Sequence, residues 1–438
     1  MSIATDDTKV TVVPATIPPS EEGQSSDSET VIITWDGDND PKNPINWPPW
    51  KKSAVTGIGL FATFIALMNG TIITPAHYAI DRQFDINEAS FPNSYWMITS
   101  WGVGGALSSL VVLPVMEDFG IRYVFLAVYL IYICFLIPTG VAQNFATLII
   151  TRFFSGGCVA ILANTVAGII SNIYVGNRAR TVPLSMYITI YLASSSMGPV
   201  IGASVYQFLS WRWIGYLQLI WTGIFFPIFV FALPETRGSA ILKARAQKLR
   251  KEGRKAYTQE ELETTSIVQV VWNSVQRPLY MLCTESVVFV STIWSAFSIG
   301  TICLFTQSAA WTSYPSIPWI APAIGLAMVG AGCTCVIVSN ANYLIDAYSM
   351  YAASAVGAIG LGENMFVAFL PLAAQSMYTN LGSHWASSLL GLVSLVLAFA
   401  PVAVFVWGKE IRARSPYIRE AAEEERRNVV GSAVGMNV

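Results

Sequence analysis

Two ionisable residues stand inside long apolar stretches of the sequence, where a charge is costly and therefore suggests chemistry. Arg152 lies about five residues into the stretch 147–170. A guanidinium there can hold a carboxylate or a bound substrate inside a cavity. A simpler explanation is that its long side chain reaches the membrane surface and anchors the helix there. Both readings stay open at this point.

Glu363 lies near the middle of the stretch 352–373, within Gly-Leu-Gly-Glu-Asn. A carboxyl in apolar surroundings can take up and release protons, so Glu363 joins Arg152 as a candidate for proton coupling. The alternative is a hydrogen bond between two helices, made by the protonated acid. Glu285 starts the stretch 284–306 close to the membrane surface, and there a capping role is the better interpretation.

A polar and aromatic stripe runs along the stretch 284–306. Ser291, Trp294 and Ser298 follow one another at spacings of three and four, which places them on one helical face. Such a stripe can line a cavity, with Trp294 offering its face to a flat or cationic ligand, or it can pack against another helix. Asn69 and Thr74 extend the cavity argument more weakly in the first apolar stretch.

The sequence gives no indication of an enzyme, a metal site or a cofactor. Its two histidines, His77 and His384, have no catalytic or metal-ligating partners at a suitable spacing. Cys333 and Cys335 point to different faces of a helix, so we interpret them as packing residues. No Gly-rich phosphate loop followed by Lys is present, so we expect any energy for transport to come from an ion gradient.

The composition indicates that these residues are positioned by membrane-spanning helices. Charged residues make up only 12% of the 438 residues and apolar residues 53%. A span needs about 20 mostly apolar residues. We predict an all-α polytopic membrane protein with about ten transmembrane helices, six before a charged loop and four after it. The predicted spans are 54–75, 94–115, 122–142, 147–170, 182–207, 213–233, 284–306, 318–340, 352–373 and 386–408.

The distribution of positive charge predicts the orientation. Of the 25 Lys and Arg residues, all but Arg82, Arg152 and Arg212 fall in the tails and even-numbered connections, which places both termini in the cytosol. The basic run 243–255 could touch anionic lipid, although a solvated loop helix is favoured. The predicted units are an acidic disordered cytosolic tail (1–50), a six-helix bundle (51–233), a charged cytosolic loop (234–283), a bundle of about four helices (284–408) and a cytosolic tail (409–438).

Several motifs resemble those of the major facilitator superfamily, in its fungal drug:proton antiporter branch. The segment 196–202, Ser-Met-Gly-Pro-Val-Ile-Gly, is similar to the antiporter motif of this branch. The resemblance implies that Gly198, Pro199 and Gly202 kink the helix and form a close contact with the opposite half of the transporter. It also implies a two-bundle transporter fold and a role in export.

Other segments extend the resemblance over roughly residues 41–420. The segment 114–122 resembles the loop between the second and third spans, which implies a cytosolic gate latch formed by Glu117, Asp118, Gly120 and Arg122. Arg152 followed by Gly156 is similar to a fourth-span motif tied to proton transfer. The segments 234–238, Pro-Glu-Thr-Arg-Gly, and 284–286, Thr-Glu-Ser, resemble the family's signatures after the sixth span and at the start of the seventh.

The same resemblance implies that two spans are missing. The predicted seventh span ends around 306–308, and Trp311 already resembles the region after the family's ninth span, so equivalents of spans eight and nine are absent. We expect a proton-coupled exporter of small amphipathic organic compounds, most simply in the plasma membrane. Its partners would be the substrate, protons and the lipid bilayer, with no nucleic acid. The alternatives are an uptake symporter for a polar nutrient or polyamine, and a shortened, non-transporting chain or gene-model artefact.

Overall fold

The computed structural model describes residues 11–13, 31–37, 39–86, 95–258, 261, 267–311, 320–348 and 352–399, and then 401–402, 406–407, 410 and 415–419. These residues form twelve α-helices, which we number in chain order. The first eight are α1 Pro49–Thr71, α2 His77–Phe84, α3 Trp96–Phe119, α4 Ile121–Val141, α5 Phe145–Ile173, α6 Asn177–Phe208, α7 Arg212–Ala232 and α8 Gly238–Lys251. The others are α9 Ile267–Thr284, α10 Ser286–Trp311, α11 Ile320–Tyr348 and α12 Ala352–Leu397.

Most of the described residues of the predicted spans lie on helices, and the all-α fold class is confirmed. By length and apolar composition, six helices of the described part could cross a membrane, or seven if the bent pair α9 and α10 counts as one span. Three shorter apolar helices, Trp96–Val112, Met328–Leu344 and Ser388–Leu397, occupy the remaining predicted positions. The total of ten spans therefore stays a prediction. α12 is broken at Gly382, whose φ of 76° separates its last apolar segment from the rest.

We call the helices before the connecting loop, α1–α7, the first group and those after it, α10–α12, the second group. α5 is the central helix of the first group. Leu148, Val159, Leu162 and Val166 are fully buried along it, because neighbouring helices cover it on several sides. Aromatic residues of α4 and α7 complete this core, with the rings of Tyr129 and Phe229 5.1 Å apart. The first group thus supplies a packed frame around Arg152, which lies about two turns after the start of α5.

The two groups of helices meet along two seams. The Thr99 hydroxyl of α3 donates a hydrogen bond of 2.8 Å to the Ala368 carbonyl oxygen of α12. In the second seam, Tyr187 and Ile188 of α6 belong to an apolar cluster that Ile337 and Val338 of α11 cover. α6 and α3 therefore form the first group's surface toward the second.

The segment 31–47 is folded against the loop between the groups, although disorder is expected there from composition. Its strand β2, Val31–Ile33, lies between β1, Thr11–Val13, and β3, Ala256–Tyr257, in a small parallel sheet. Ile33 packs on Ala246 of α8. The segment is acidic, but its apolar side chains Ile33 and Trp47 are buried, which composition alone does not indicate. The loop 234–283 likewise contains two helices, α8 and most of α9.

Candidate functional site

Arg152 is buried against the carboxyl-terminal end of α1. Its guanidinium donates a 3.3 Å hydrogen bond to the Asn69 carbonyl oxygen and a second, short one to the Gly70 carbonyl oxygen. Only 2% of Arg152 is exposed, so it is not a surface anchor in this conformation. The last carbonyl groups of a helix lack helical partners and carry partial negative charge, which explains how they accommodate a cation. No ion pair of the described residues includes Arg152.

Asn69 connects Arg152 to α7. Gln218 donates a 2.9 Å hydrogen bond to the Asn69 carbonyl oxygen, and the indole N–H of Trp221 donates one of 2.9 Å to its side-chain oxygen. The Asn69 amide in turn donates to the Thr222 hydroxyl at 3.2 Å. Residues 218, 221 and 222 share one helical face, so α7 presents a polar stripe to the end of α1.

Two buried tyrosines of α4 complete this polar cluster. Tyr129 donates a 3.2 Å hydrogen bond to the Thr222 carbonyl oxygen, and Tyr132 interacts with Asn69 and Arg152. The cluster was only partly predicted from the sequence, through Arg152 and Asn69. The missed members were Tyr129, Tyr132, Gln218, Trp221 and Thr222, of which the last three show a spacing that could have identified them.

Glu363 lies in the second group, at its boundary with the first. The Ser295 hydroxyl of α10 donates a short hydrogen bond to the Glu363 carboxylate, and Tyr187 of α6 interacts electrostatically with it. Asn364 lies next to α3. Its side-chain oxygen is 3.4 Å from the position that a Cβ atom at Gly105 would take. None of the hydrogen bonds or ion pairs of the described residues joins Glu363 to Arg152, so the two predicted coupling residues occupy separate sites.

The predicted stripe of α10 faces α11. Asn340 donates a 2.8 Å hydrogen bond to the Ser291 carbonyl oxygen, and the Cys333 thiol donates one of 3.1 Å to the Ser298 carbonyl oxygen. The Ser298 hydroxyl is bonded to the Trp294 carbonyl oxygen at 2.8 Å in its own helix. These contacts favour the packing interpretation for the two serines, while Trp294 is half-buried.

Thr74 lies beyond the end of α1, in the short 3₁₀-helix Thr74–Ala76. Its carbonyl oxygen is 2.9 Å from Nδ1 of His77. Thr74 is therefore separated from the Asn69 cluster by a turn and is not among the polar contacts of Arg152.

The segment 196–202 packs against α1, in the same group, where the resemblance implied contact with the opposite half. A Cβ added at Gly198 would overlap the Thr71 hydroxyl, and one at Gly202 would overlap the Ile72 carbonyl oxygen. Thr71 also donates a 2.9 Å hydrogen bond to the Ser195 carbonyl oxygen. The small residues are needed because the end of α1 lies directly on α6, with Pro199 half-buried between the two glycines.

The motif 114–122 is organised by a residue after α7. The Glu235 carboxylate accepts hydrogen bonds from the backbone N–H groups of Ile121 and Arg122, at 3.1 and 3.0 Å, and so caps α4. The Arg122 guanidinium donates to the Val230 carbonyl oxygen at 3.0 Å. Gly120 adopts a φ of 89° and lies against Glu235. The side chains of Glu117 and Asp118 lie outside the described residues, so an acid–Arg122 latch stays a prediction.

A family profile described as Major Facilitator Superfamily matches residues 59–306, more than half of the chain. The Citrinin biosynthesis cluster MFS transporter mrr1 of Monascus ruber is 27% identical over 464 residues, with 88% of this chain and 92% of the relative covered. The Cycloheximide resistance protein of Candida maltosa is 28% identical over 485 residues, with 89% and 86% covered. Both alignments exceed the 438 residues of this chain, so each relative has segments without a counterpart here.

A solved structure shares the fold. The proton:xylose symporter XylE bound to 6-bromo-6-deoxy-D-glucose has a TM-score of 0.53 and 11% sequence identity, with 82% of this chain and 96% of that chain covered. At this identity the similarity shows the arrangement of helices alone.

Proposed function

Because the chain belongs to the major facilitator superfamily, we propose that it is a proton-coupled exporter of small amphipathic organic compounds. The family makes it a multi-pass membrane transporter and not an enzyme. The observation that carries the export proposal is the likeness to fungal proteins named for biosynthesis clusters and drug resistance, which extends over most of both chains. Citrinin and cycloheximide, the compounds in those names, motivate the substrate class.

Alternating access supplies the mechanism that we propose. The two groups rock about a substrate site near the middle of the membrane, between α3 and α6 on one side and α11 and α12 on the other. Gly198, Pro199 and Gly202 keep α6 tightly joined to α1, so that the first group moves as one body. Glu117 and Asp118 close the inner gate with Arg122 when the groups approach on the cytosolic side.

Glu363 is the proposed proton carrier. Its position at the seam, bonded to Ser295 and close to α6, supports this role because movement of the seam changes its surroundings. Arg152 acts in the first group, where it holds the end of α1 in place. Arg152 assists coupling by keeping this group rigid while the seam moves. The two residues thus act on the same movement from different sites.

We propose that the chain is shortened after α10. The family match ends at residue 306, directly before the junction identified from the motifs, and the alignments contain relative segments that this chain lacks. α11 covers Tyr187 and Ile188 of α6, which supports closure of the seam without the missing helices. The exposed hydroxyls of Thr189 and Ser204 bond carbonyl groups of α6 itself, so lipid contact leaves neither unsatisfied. Sequencing the transcript between the codons for Thr306 and Trp311 tests whether the shortening is genuine.

Export is tested by following radiolabelled cycloheximide in cells that lack their own exporters. We expect cells with this protein to accumulate less of the compound than cells with an empty vector, and the difference to vanish when an ionophore collapses the proton gradient. A gain in accumulation would instead favour uptake, and an unchanged difference after collapse would refute proton coupling. Surface labelling of tagged termini tests the proposed plasma-membrane location and cytosolic ends.

A further inference from the structure

α9 lies across the end of the second group, where it packs on α10 and α12 and also contacts α3 of the first group, and it does not continue the line of α10. The two helices bend by 97° around Glu285. The bend is held by buried contacts, since Tyr348 donates a 3.0 Å hydrogen bond to the Glu285 carboxylate and Met281 packs into the same cluster as Val288. With α10 placed across the membrane, as its apolar sequence predicts, a helix nearly perpendicular to it runs parallel to the membrane surface.

The two faces of α9 differ strongly. Pro278 and Met281 are buried against the second group, with Pro278 close to Gly357 of α12. On the opposite face Trp272 is 65% exposed and Tyr280 is 53% exposed, with Leu279 beside them. Trp, Tyr and Leu on the outer face of a surface helix are typical of insertion at the boundary between headgroups and acyl chains.

A cavity of about 350 Å³ opens between α9 and the segment Ser415–Arg419. It is lined by Gln276, Arg277, Tyr280 and Tyr417, and the rings of the two tyrosines are 6.4 Å apart. Among its described lining residues one carries a positive charge and none is acidic. The volume corresponds to roughly ten water molecules, which is ample for a phosphate group with its glycerol.

The lining chemistry suits a phosphodiester. A guanidinium carries five N–H donors, so Arg277 can bind an anion even though it also interacts within the protein. The Gln276 amide and the tyrosine hydroxyls are further donors for phosphate oxygens. Tyr280 belongs both to the cavity and to the outer face of α9, which makes the cavity continuous with the surface that we place in the membrane.

We propose that this cavity binds the headgroup of an anionic phospholipid from the cytosolic leaflet, with the outer face of α9 inserted among the lipids. The assignment to that leaflet rests on the proposed orientation of the chain. Binding there would fix the bend between α9 and α10 and hold the connecting loop at the membrane surface.

The headgroup site is tested with the purified full-length protein in neutral detergent. We expect dioctanoyl phosphatidylserine to bind more tightly than dioctanoyl phosphatidylcholine or inorganic phosphate. Arg277→Gln should weaken phosphatidylserine binding about tenfold, as for the loss of one hydrogen bond to a charged group, and Tyr417→Phe should weaken it less. Arg254→Gln, at an exposed position of the loop, is the matched control. Equal affinity for inorganic phosphate, or an Arg277→Gln protein that binds like the control, would overturn the proposal.

Insertion of α9 is tested separately through Cys283, which is exposed on its outer face. A variant with Cys134, Cys303 and Cys335 changed to Ser is labelled at Cys283 with an environment-sensitive maleimide in nanodiscs. We expect quenching by headgroup-region spin-labelled lipid and protection from aqueous iodide. A label at Lys251→Cys on α8, in the same background with Cys283 also changed to Ser, should behave oppositely. Iodide quenching equal to that at position 251 would refute insertion. Neither readout depends on transport, so failure of the export proposal leaves this one standing.

Discussion

The Arg152 guanidinium donates a hydrogen bond of 3.3 Å to the backbone carbonyl oxygen of Asn69, so a cation of α5 is stabilised by the end of α1. The same end of α1 receives Gln218 and Trp221 from α7 and Gly202 from α6. Three helices, α5, α6 and α7, thus contact the same helix end. Any movement of α1 is transmitted to all three at once.

Arg152→Lys should reduce export about tenfold or more. An ammonium group is compact and cannot span two carbonyl groups as a planar guanidinium does, and a lost hydrogen bond to a charged group costs roughly 1.5–3 kcal/mol. Initial rates of cycloheximide efflux, corrected for the amount of protein at the membrane, measure the effect. Arg254→Lys in the exposed loop is the control. Normal efflux by Arg152→Lys would mean that the buried charge alone suffices.

Gly202→Ala should lower the thermal stability of the purified protein. An alanine is normally favoured over glycine inside a helix by about 1 kcal/mol, yet its Cβ would overlap the Ile72 carbonyl oxygen, and overpacking costs typically 1–3 kcal/mol. Gly223→Ala is the matched control in α7, because no atom lies within 4 Å of its added Cβ. We expect the melting temperature to fall for position 202 and to stay or rise for position 223. A rise at both would contradict the close approach of α6 and α1.

Glu363→Gln should separate substrate movement from proton movement. The amide keeps the size of the carboxyl and a hydrogen-bonding group for Ser295, but it cannot carry a proton through a cycle. We expect export driven by a proton gradient to be lost in proteoliposomes while exchange of labelled for unlabelled substrate persists. Ser295→Ala, which removes the hydrogen bond and leaves the carboxyl, should retain gradient-driven export. Loss of both activities in Glu363→Gln would assign this residue to substrate binding or folding instead.

The positions of the helices were predictable from the sequence to a greater extent than the contacts between them. Long apolar runs are sufficient to predict spans, and a lone charge such as Arg152 is conspicuous in them. Its partners were not predictable, because they are backbone carbonyl groups that every residue has. The glycines at 198 and 202 indicated close packing, but their spacing does not say which helix approaches. The bend at Glu285 was not predicted either. It depends on a hydrogen bond from Tyr348, which is distant in sequence.

Glu235→Gln should destabilise the start of α4 by about 1–2 kcal/mol, within the range for loss of a helix cap. Besides the two N–H groups of α4, the Glu235 carboxylate accepts from the backbone of Thr236 and Arg237 at 2.9 and 2.8 Å. An amide has only one acceptor oxygen and no charge to interact with the helix dipole. Thermal unfolding of the purified protein measures the loss, with Glu252→Gln at an exposed position as the control. Identical melting temperatures of the two variants would show that Glu235 does not cap α4.

The segment 31–47 should stay docked on α8 at neutral pH and detach only in strong acid. Burial raises the pKa of the Asp40 carboxyl, but hydrogen bonds from the Lys42 backbone, from Arg245 and from the Asp36 backbone together lower the pKa below its ordinary value. A lowered pKa means that the stabilisation is fully present above the pKa of the unfolded chain and is lost as the pH falls through the lower, folded value. Cleavage of this segment by protease should therefore be equally slow at pH 8 and pH 5.

Asp40→Asn should accelerate that cleavage at both pH values, since it removes the charged partner that Arg245 contacts at 2.8 Å. Asp85→Asn, at the end of α2, is a control outside the docked segment. Fast cleavage of the unaltered protein at pH 5 would show that another titrating group holds the segment. Equal protection of Asp40→Asn would mean that Ile33 and Trp47 hold it through apolar packing alone, and the acidic residues of this tail would then serve solubility and not docking.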